Sequence, residues 1–164
     1  MKISCVIPAY NEERTIKKVL SDVKASGIFN EVIVVNDGST DRTYTILKNE
    51  SGIIFIDLEQ NQGKGGAVRS GFQKASGEII VMLDADLVGI KKEHLEKILK
   101  PILENKADVC IGVIQHKKKW WMSFSQIVTS DLSGQQAFWK HLAEDADIKN
   151  TRFGVEIALK NHFK

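Results

Sequence analysis

Glu31-Val32-Ile33-Val34-Val35-Asn36-Asp37-Gly38-Ser39-Thr40-Asp41 decides the fold. From Val32 to Val35 every position is apolar, with no polar alternation. A short β-branched run of this kind reads as a strand buried on both faces. It ends in Asp37-Gly38-Ser39, a turn composition, and Asp41 then stands where a helix cap is wanted. A buried strand, a tight turn and a helix together form the repeating unit of a parallel sheet.

The same unit recurs on both sides. Upstream, Ile3–Ala9 is an apolar run containing Pro8, and residues 13–25 carry Ile16, Val19, Leu20 and Val23 at helical spacing. Downstream of Asp41 a helix is expected through about Asn49, then a third apolar run over 53–58. Residues 63–75 read as a helix after a glycine-rich turn, and 78–83 as a fourth run. Residues 93–104 read as a helix that Pro101 breaks or kinks, and 108–114 as a fifth run. The prediction is an α/β fold, a mostly parallel central sheet with helices on both faces. After Ile114 the period weakens. Residues 121–128 and 138–144 read as short helices, and 153–163 as another. With no internal repeat, 1–164 reads as one domain, with a first half over 1–114 and a second over 115–164.

Composition excludes several classes. The net charge of +2 is too small to argue for nucleic acid. No apolar run approaches the roughly 20 residues that span a bilayer. Met1 to Pro8 lacks a small-residue cleavage pattern and reads as a strand rather than a signal peptide. Cys5 and Cys110 sit in apolar runs and read as two reduced core thiols, which suits the cytoplasm. His94, His116, His141 and His162 have no ligand spacing among them. Lys117-Lys118-Lys119-Trp120-Trp121 is the one basic-aromatic patch. It suits either a bilayer headgroup region or a solvated loop whose aromatics fold onto the core.

In open α/β sheets ligands bind at the carboxyl ends of the strands. Here those ends are acidic. The first strand runs into Pro8-Ala9-Tyr10-Asn11-Glu12-Glu13, the second into Asp37, and the fourth into Asp84-Ala85-Asp86. Paired aspartates offer hard oxygen ligands to Mg²⁺ or Mn²⁺, which also take substrate phosphates. Such a metal neutralises the charge of a departing diphosphate. Asp37, at a strand tip, can accept from a base N–H, and Tyr10 can lie against a base or ribose. Asn61-Gln62-Gly63-Lys64-Gly65-Gly66 opens a helix but is not a Walker A loop, and Val68 breaks a G-x-G-x-x-G match. Its glycines can present N–H groups to an anion, with Lys64 and Arg69 as candidate positive charges.

These elements, in this order, resemble family 2 glycosyltransferases of the GT-A (nucleotide-diphospho-sugar transferase) fold. The chain is most similar to their dolichyl- and polyprenyl-phosphate sugar transferase branch. The matching stretches are Val6 to Glu13, Val34 to Asp41, Asn61 to Gly65 and Leu83 to Leu87. Weaker matches are Ser133-Gly134-Gln135-Gln136-Ala137-Phe138 and Phe153-Gly154-Val155-Glu156-Ile157. The resemblance implies that Pro8, Ala9, Tyr10, Glu12, Asp37, Lys64, Asp84 and Ala85 hold the nucleotide. It implies Mg²⁺ or Mn²⁺ on Asp84 and Asp86. Asp86 and Glu156, the family's acceptor-side acid, become the catalytic candidates, with Asp131 and the pair Glu144-Asp145 as other acids. The implied donor is a UDP- or GDP-sugar, and the implied acceptor a lipid-linked phosphate or a saccharide. Transfer with inversion, contact with the cytoplasmic membrane face and a homodimer complete the expectation. Two positions depart from the pattern: Val88 stands where a metal-holding Gln is frequent, and Gln136 where an arginine is common. Because the chain ends at Lys164, part of the acceptor half is expected to be missing. The competing readings are a degenerate sugar-nucleotide-binding module and a sugar nucleotidyltransferase. The latter wants an arginine-containing glycine loop after strand one, where this chain has Tyr10-Asn11-Glu12.

Overall fold

The computed structural model describes residues 1–112 and 135–143. In chain order the elements are β1 (Ile3–Ala9), α1 (Ile16–Ser26), β2 (Glu31–Asp37), α2 (Thr43–Lys48), β3 (Ile54–Leu58) and α3 (Gly63–Lys74). Then come β4 (Ile79–Met82), α4 (Lys92–Leu103), β5 (Val109–Gly112), β6 (Gln135–Trp139) and a 3₁₀ turn over Lys140–Ala143. The sheet order is β3-β2-β1-β4-β6-β5. β1 pairs in parallel with β2 and β4, and β2 with β3, while β6 runs antiparallel between β4 and β5.

Both faces of the sheet are covered, as the unbroken apolar runs require. On one face Cys5, Ile7, Val34 and Val81 meet Ile16, Val19, Leu20 and Val23 of α1 and Leu95, Leu99 and Ile102 of α4. On the other, Val6, Ile33, Val35, Ile80 and Met82 meet Ala67, Val68 and Phe72 of α3. There Phe72 and Phe138 contact edge to face at 5.5 Å. A Cβ at Gly71 would lie 2.4 Å from Cγ1 of Val6, so the glycine lets α3 approach the sheet closely.

Two expectations are corrected. In place of the helix expected over 138–144, the described residues 138–143 end β6 with Phe138 and Trp139 and continue into the 3₁₀ turn. Pairing with both β4 and β5 satisfies their backbone groups, and this long-range pairing overrides the local pattern. Pro101 does not break α4, which continues to Leu103. It sits in the last turn, where its carbonyl takes the N–H groups of Lys106 and Ala107. The expected helices over 121–128 and 153–163 lie outside the described residues. Both cysteines are free thiols, Cys5 buried and Cys110 half-buried, and burial pushes both thiols up. His94 is a capping residue whose Nδ1 accepts the Lys91 N–H at the start of α4. Among the described residues no helix is long and apolar enough to cross a membrane.

The edge of the sheet away from the strand ends is tied by Glu31. Its carboxylate accepts the Ser4 hydroxyl at 2.6 Å, the Ser76 N–H at 2.6 Å and the Ser76 hydroxyl at 3.1 Å. Burial alone would raise this carboxyl, but those donors hold it below its ordinary value. Its contribution is therefore present above the unfolded-state pKa and lost as pH falls through the lower folded value. Glu31→Ala should cost about 1–3 kcal/mol by leaving these donors unpaired. The loss should be largest at neutral pH and shrink below the carboxylate range, as read by urea denaturation across pH.

Candidate functional site

The chain moves outward from β1 to β2 and β3, then returns to place β4 on the other side of β1. The gap at the carboxyl ends of β1 and β4 is thus the topological switch point, where open α/β sheets bind ligands. A cavity of about 710 Å³ lies there. It is lined by Pro8, Ala9, Tyr10 and Glu12 after β1, Asp37 at the tip of β2, Lys64 on α3, and Asp84, Ala85 and Asp86 after β4. These are all the described residues singled out from the sequence for the nucleotide and the metal, apart from the candidate charge Arg69. Glu156, Asp131, Glu144 and Asp145 lie outside the described residues, as does the Lys117–Trp121 patch. Arg69 is not among the lining residues. Asn61 and Gly63, from the stretch whose glycines read as able to face an anion, also line the cavity, as does Ala67, which was not identified from the sequence.

The walls are braced by side chains. Asn11 adopts a left-handed φ of 57°, a conformation asparagine tolerates. Its N–H donates to Oγ of Ser39 at 3.0 Å, and its Oδ1 accepts the Thr40 N–H at 2.8 Å. The Glu12 N–H donates to Oγ1 of Thr43 at 2.8 Å, and the Glu13 N–H to Asp41 at 3.1 Å. Asp41 also accepts the Thr43 N–H at the start of α2, although it stands one residue before the N-cap, which is Arg42 rather than the expected Asp41. The turns after β1 and β2 are therefore laced together, leaving the Tyr10 side chain 46% exposed at the mouth. The Glu12 carboxylate takes the Thr15 hydroxyl at 2.7 Å, so it also serves the turn that starts α1.

Asp37 is 3% exposed and accepts the Gln62 N–H at 2.7 Å. Asn61 Nδ2 donates back to the Asp37 carbonyl at 3.1 Å. This pair folds the turn before α3 over the site and brings Asn61 and Gly63 into it. Gly38 makes the approach possible. Its φ is +65°, and a Cβ there would lie 2.6 Å from the Asn61 nitrogen. Gly38→Ala should lose about 1–2 kcal/mol from the left-handed backbone alone, with more from the clash, and should lower the thermal midpoint.

Lys64 Nζ lies 2.6 Å from Oδ1 of Asp84, both side chains partly exposed. Asp86 is exposed, and its backbone carbonyl accepts the Val88 N–H at 2.8 Å. No three acidic, histidine or cysteine groups among the described residues cluster into a metal cage. Two carboxylates beside a cavity fit instead a Mg²⁺ or Mn²⁺ ion whose shell is completed by water and substrate oxygens. Of the two departures, Val88 is half-exposed on the loop, whereas Gln136 is 1% exposed beside Met82. Among the described residues its Oε1 has no hydrogen-bond partner.

Comparison with known proteins fits this geometry. The chain is 39% identical to the uncharacterized protein MJ1222 of Methanocaldococcus jannaschii, over 98% of this chain and 76% of that one. That alignment runs over 189 positions, more than this chain's 164 residues, so the relative carries inserted residues. The chain is 33% identical to the dolichol-phosphate mannosyltransferase of Pyrococcus furiosus, over 68% of this chain and only 33% of that enzyme. The fold matches the glucosyl-3-phosphoglycerate synthase of Mycobacterium tuberculosis, solved with Mn²⁺ and UDP-glucose, at a TM-score of 0.75. That match has 24% identity and covers 99% of this chain and 65% of that one. This is the GT-A fold. The model of glycosyl transferase family 2 matches residues 4–152, and the chain belongs to that family.

Proposed function

We propose that this chain binds a nucleoside-diphosphate sugar in the switch-point cavity, with Mg²⁺ or Mn²⁺ on Asp84 and Asp86, and transfers the sugar to an acceptor with inversion. The observation that carries this reading is the convergence of four separated stretches on one cavity: an exposed aromatic, a buried carboxylate, a lysine and a carboxylate pair. Tyr10 offers its ring to the base or ribose. Asp37 accepts from a base N–H. Lys64, already beside Asp84, lies within the same cavity as a charge for the diphosphate. The bound metal would act as a Lewis acid on the leaving diphosphate. Inversion requires a base or an ionised acceptor on the opposite face of the sugar, and Glu156 is the residue we assign to it. The manganese and UDP-glucose of the mycobacterial synthase support a UDP-sugar donor. The dolichol-phosphate mannosyltransferase relative supports a polyprenyl-phosphate acceptor, and a lipid acceptor of that kind would place the chain at the cytoplasmic membrane surface.

The test is a thermal-shift panel of nucleotides and UDP- and GDP-sugars with and without Mn²⁺. A ligand at 100 times its dissociation constant adds about 2.7 kcal/mol of stability, so the true donor should stand out and its shift should need the metal. No shift with any sugar nucleotide would overturn the reading. Binding without any turnover of labelled sugar nucleotide, hydrolysis included, would leave a binding module in place of an enzyme.

A further inference from the structure

The loop from Asp84 to Lys91 is pinned at both ends. Ala85 is 4% and Ile90 7% exposed, both in the core beneath α1 and α4. Between these anchors the backbone bulges outward, exposing Asp86, Val88 and Gly89. Two bonds inside the bulge shape it, Leu87 N–H to the Asp84 carbonyl at 3.3 Å and Val88 N–H to the Asp86 carbonyl at 2.8 Å. The next N–H, that of Gly89, leaves the loop and donates to Oδ2 of Asp22 on α1 at 3.0 Å. Gly89 has a φ of +84°, with open space where a Cβ would be. The glycine there serves the backbone, not packing. The Asp22 side chain is only 13% exposed, and its other oxygen is held by Lys18 one turn earlier. Lys18 and the Gly89 N–H keep the Asp22 carboxyl below its ordinary range. The bond to Gly89 is therefore charge-assisted at neutral pH, the stronger kind.

We infer that Asp22 is a positioning residue for the metal site: through Gly89 it clamps the loop that aims the Asp86 carboxylate into the cavity. The inference rests on the proposed role of Asp86. Asp22 is not among the residues lining the cavity and acts three residues along the backbone from Asp86. Partners that orient ligands without touching the metal commonly set its affinity by 10- to 100-fold.

Three variants test it: Asp22→Ala removes the clamp, Asp22→Asn keeps an acceptor for Gly89 without the charge, and Lys18→Ala removes only the surface ion pair. The first readout is amide hydrogen exchange at Val88 and Gly89 in the free protein. The second is UDP affinity with and without Mn²⁺. Asp22→Ala should speed exchange at Gly89 by about tenfold or more and reduce the Mn²⁺-dependent gain in UDP affinity by about tenfold. Metal-free UDP affinity should stay within about twofold of the parent, since the nucleoside wall is untouched. Asp22→Asn should retain most of the manganese effect, and Lys18→Ala nearly all of it. Unchanged Gly89 exchange in Asp22→Ala overturns the clamp. Faster exchange with a full manganese effect overturns the positioning role, as does an Asn variant as impaired as Ala. A parent protein whose UDP affinity ignores Mn²⁺ defeats the proposed metal role instead. The exchange data then decide the clamp alone.

Discussion

In the Asp86→Ala protein, Mn²⁺ should add nothing to UDP affinity, while the fold keeps its thermal midpoint. Asp86 is exposed, and its backbone bond to Val88 survives the substitution. Surface changes of this kind usually move stability by less than about 0.5 kcal/mol. The effect on the metal should be large for the opposite reason. With Asp84 and Asp86 as the two proposed carboxylate ligands, removing one takes away half of their negative charge. Loss of an outer-shell partner alone typically costs 10- to 100-fold, so loss of a direct ligand should exceed about 100-fold. Asp84→Ala is a less clean test, because it also takes the partner of Lys64 away. Titration of UDP into each protein at fixed Mn²⁺, and again in chelator, reads the difference. An Asp86→Ala protein that still tightens on UDP when Mn²⁺ is added would place the metal elsewhere.

The parallel half of the sheet was legible because its strands are buried on both faces. Within Ile3–Ala9 and Glu31–Asp37 the apolar residues run on without alternation, and six consecutive positions of each strand are buried. The acidic strand ends were legible for the same reason, since each acid follows a run whose end is easy to find. β6 was not. Gln136, Ala137 and Phe138 are all buried, so the strand lacks the in-out rhythm of a half-exposed one, and its five residues include two glutamines. Its identity comes from β4 and β5, elements more than 20 residues away in sequence. The way the Asn61–Gly63 turn closes on the cavity has a similar cause. Asn61 and Gly63 reach the cavity because Asp37 captures the Gln62 N–H across 25 residues, and no local pattern encodes that bond. Asp22 lies on a polar stretch of α1 whose ordinary reading is a solvated face. The return of the chain at Gly89, 67 residues later, adds a long-range partner to its local one, Lys18.

Asp37→Asn should separate the two uses of this carboxylate. One use is structural: Oδ1 accepts the Gln62 N–H, and an amide oxygen can do the same. The Asn protein should therefore lose little stability, whereas Asp37→Ala, which removes a charged acceptor from the Gln62 N–H, should lose about 1–3 kcal/mol. The other proposed use is acceptance from a base N–H. Asparagine keeps one carbonyl oxygen, already committed to Gln62, and presents an NH₂ where the second acceptor stood. A hydrogen bond to a charged group is worth about 1.5–3 kcal/mol. Both variants should thus bind the preferred nucleotide about 10- to 100-fold more weakly, with a smaller change for other bases. Burial pushes the Asp37 carboxyl up, against the pull of the Gln62 and Gly63 N–H groups. The sign of two pH effects follows. A raised folded-state pKa makes its stability contribution greatest below the unfolded value and lost as pH rises through the folded one. Nucleotide affinity runs the other way, because only the ionised form has both acceptors, so binding should weaken on acidification at a pH above that of an ordinary carboxylate. The Asn protein should lack this acid limb. Equal affinity of the parent and Asp37→Asn for every nucleotide, with the same acid limb in both, would reduce Asp37 to a turn residue.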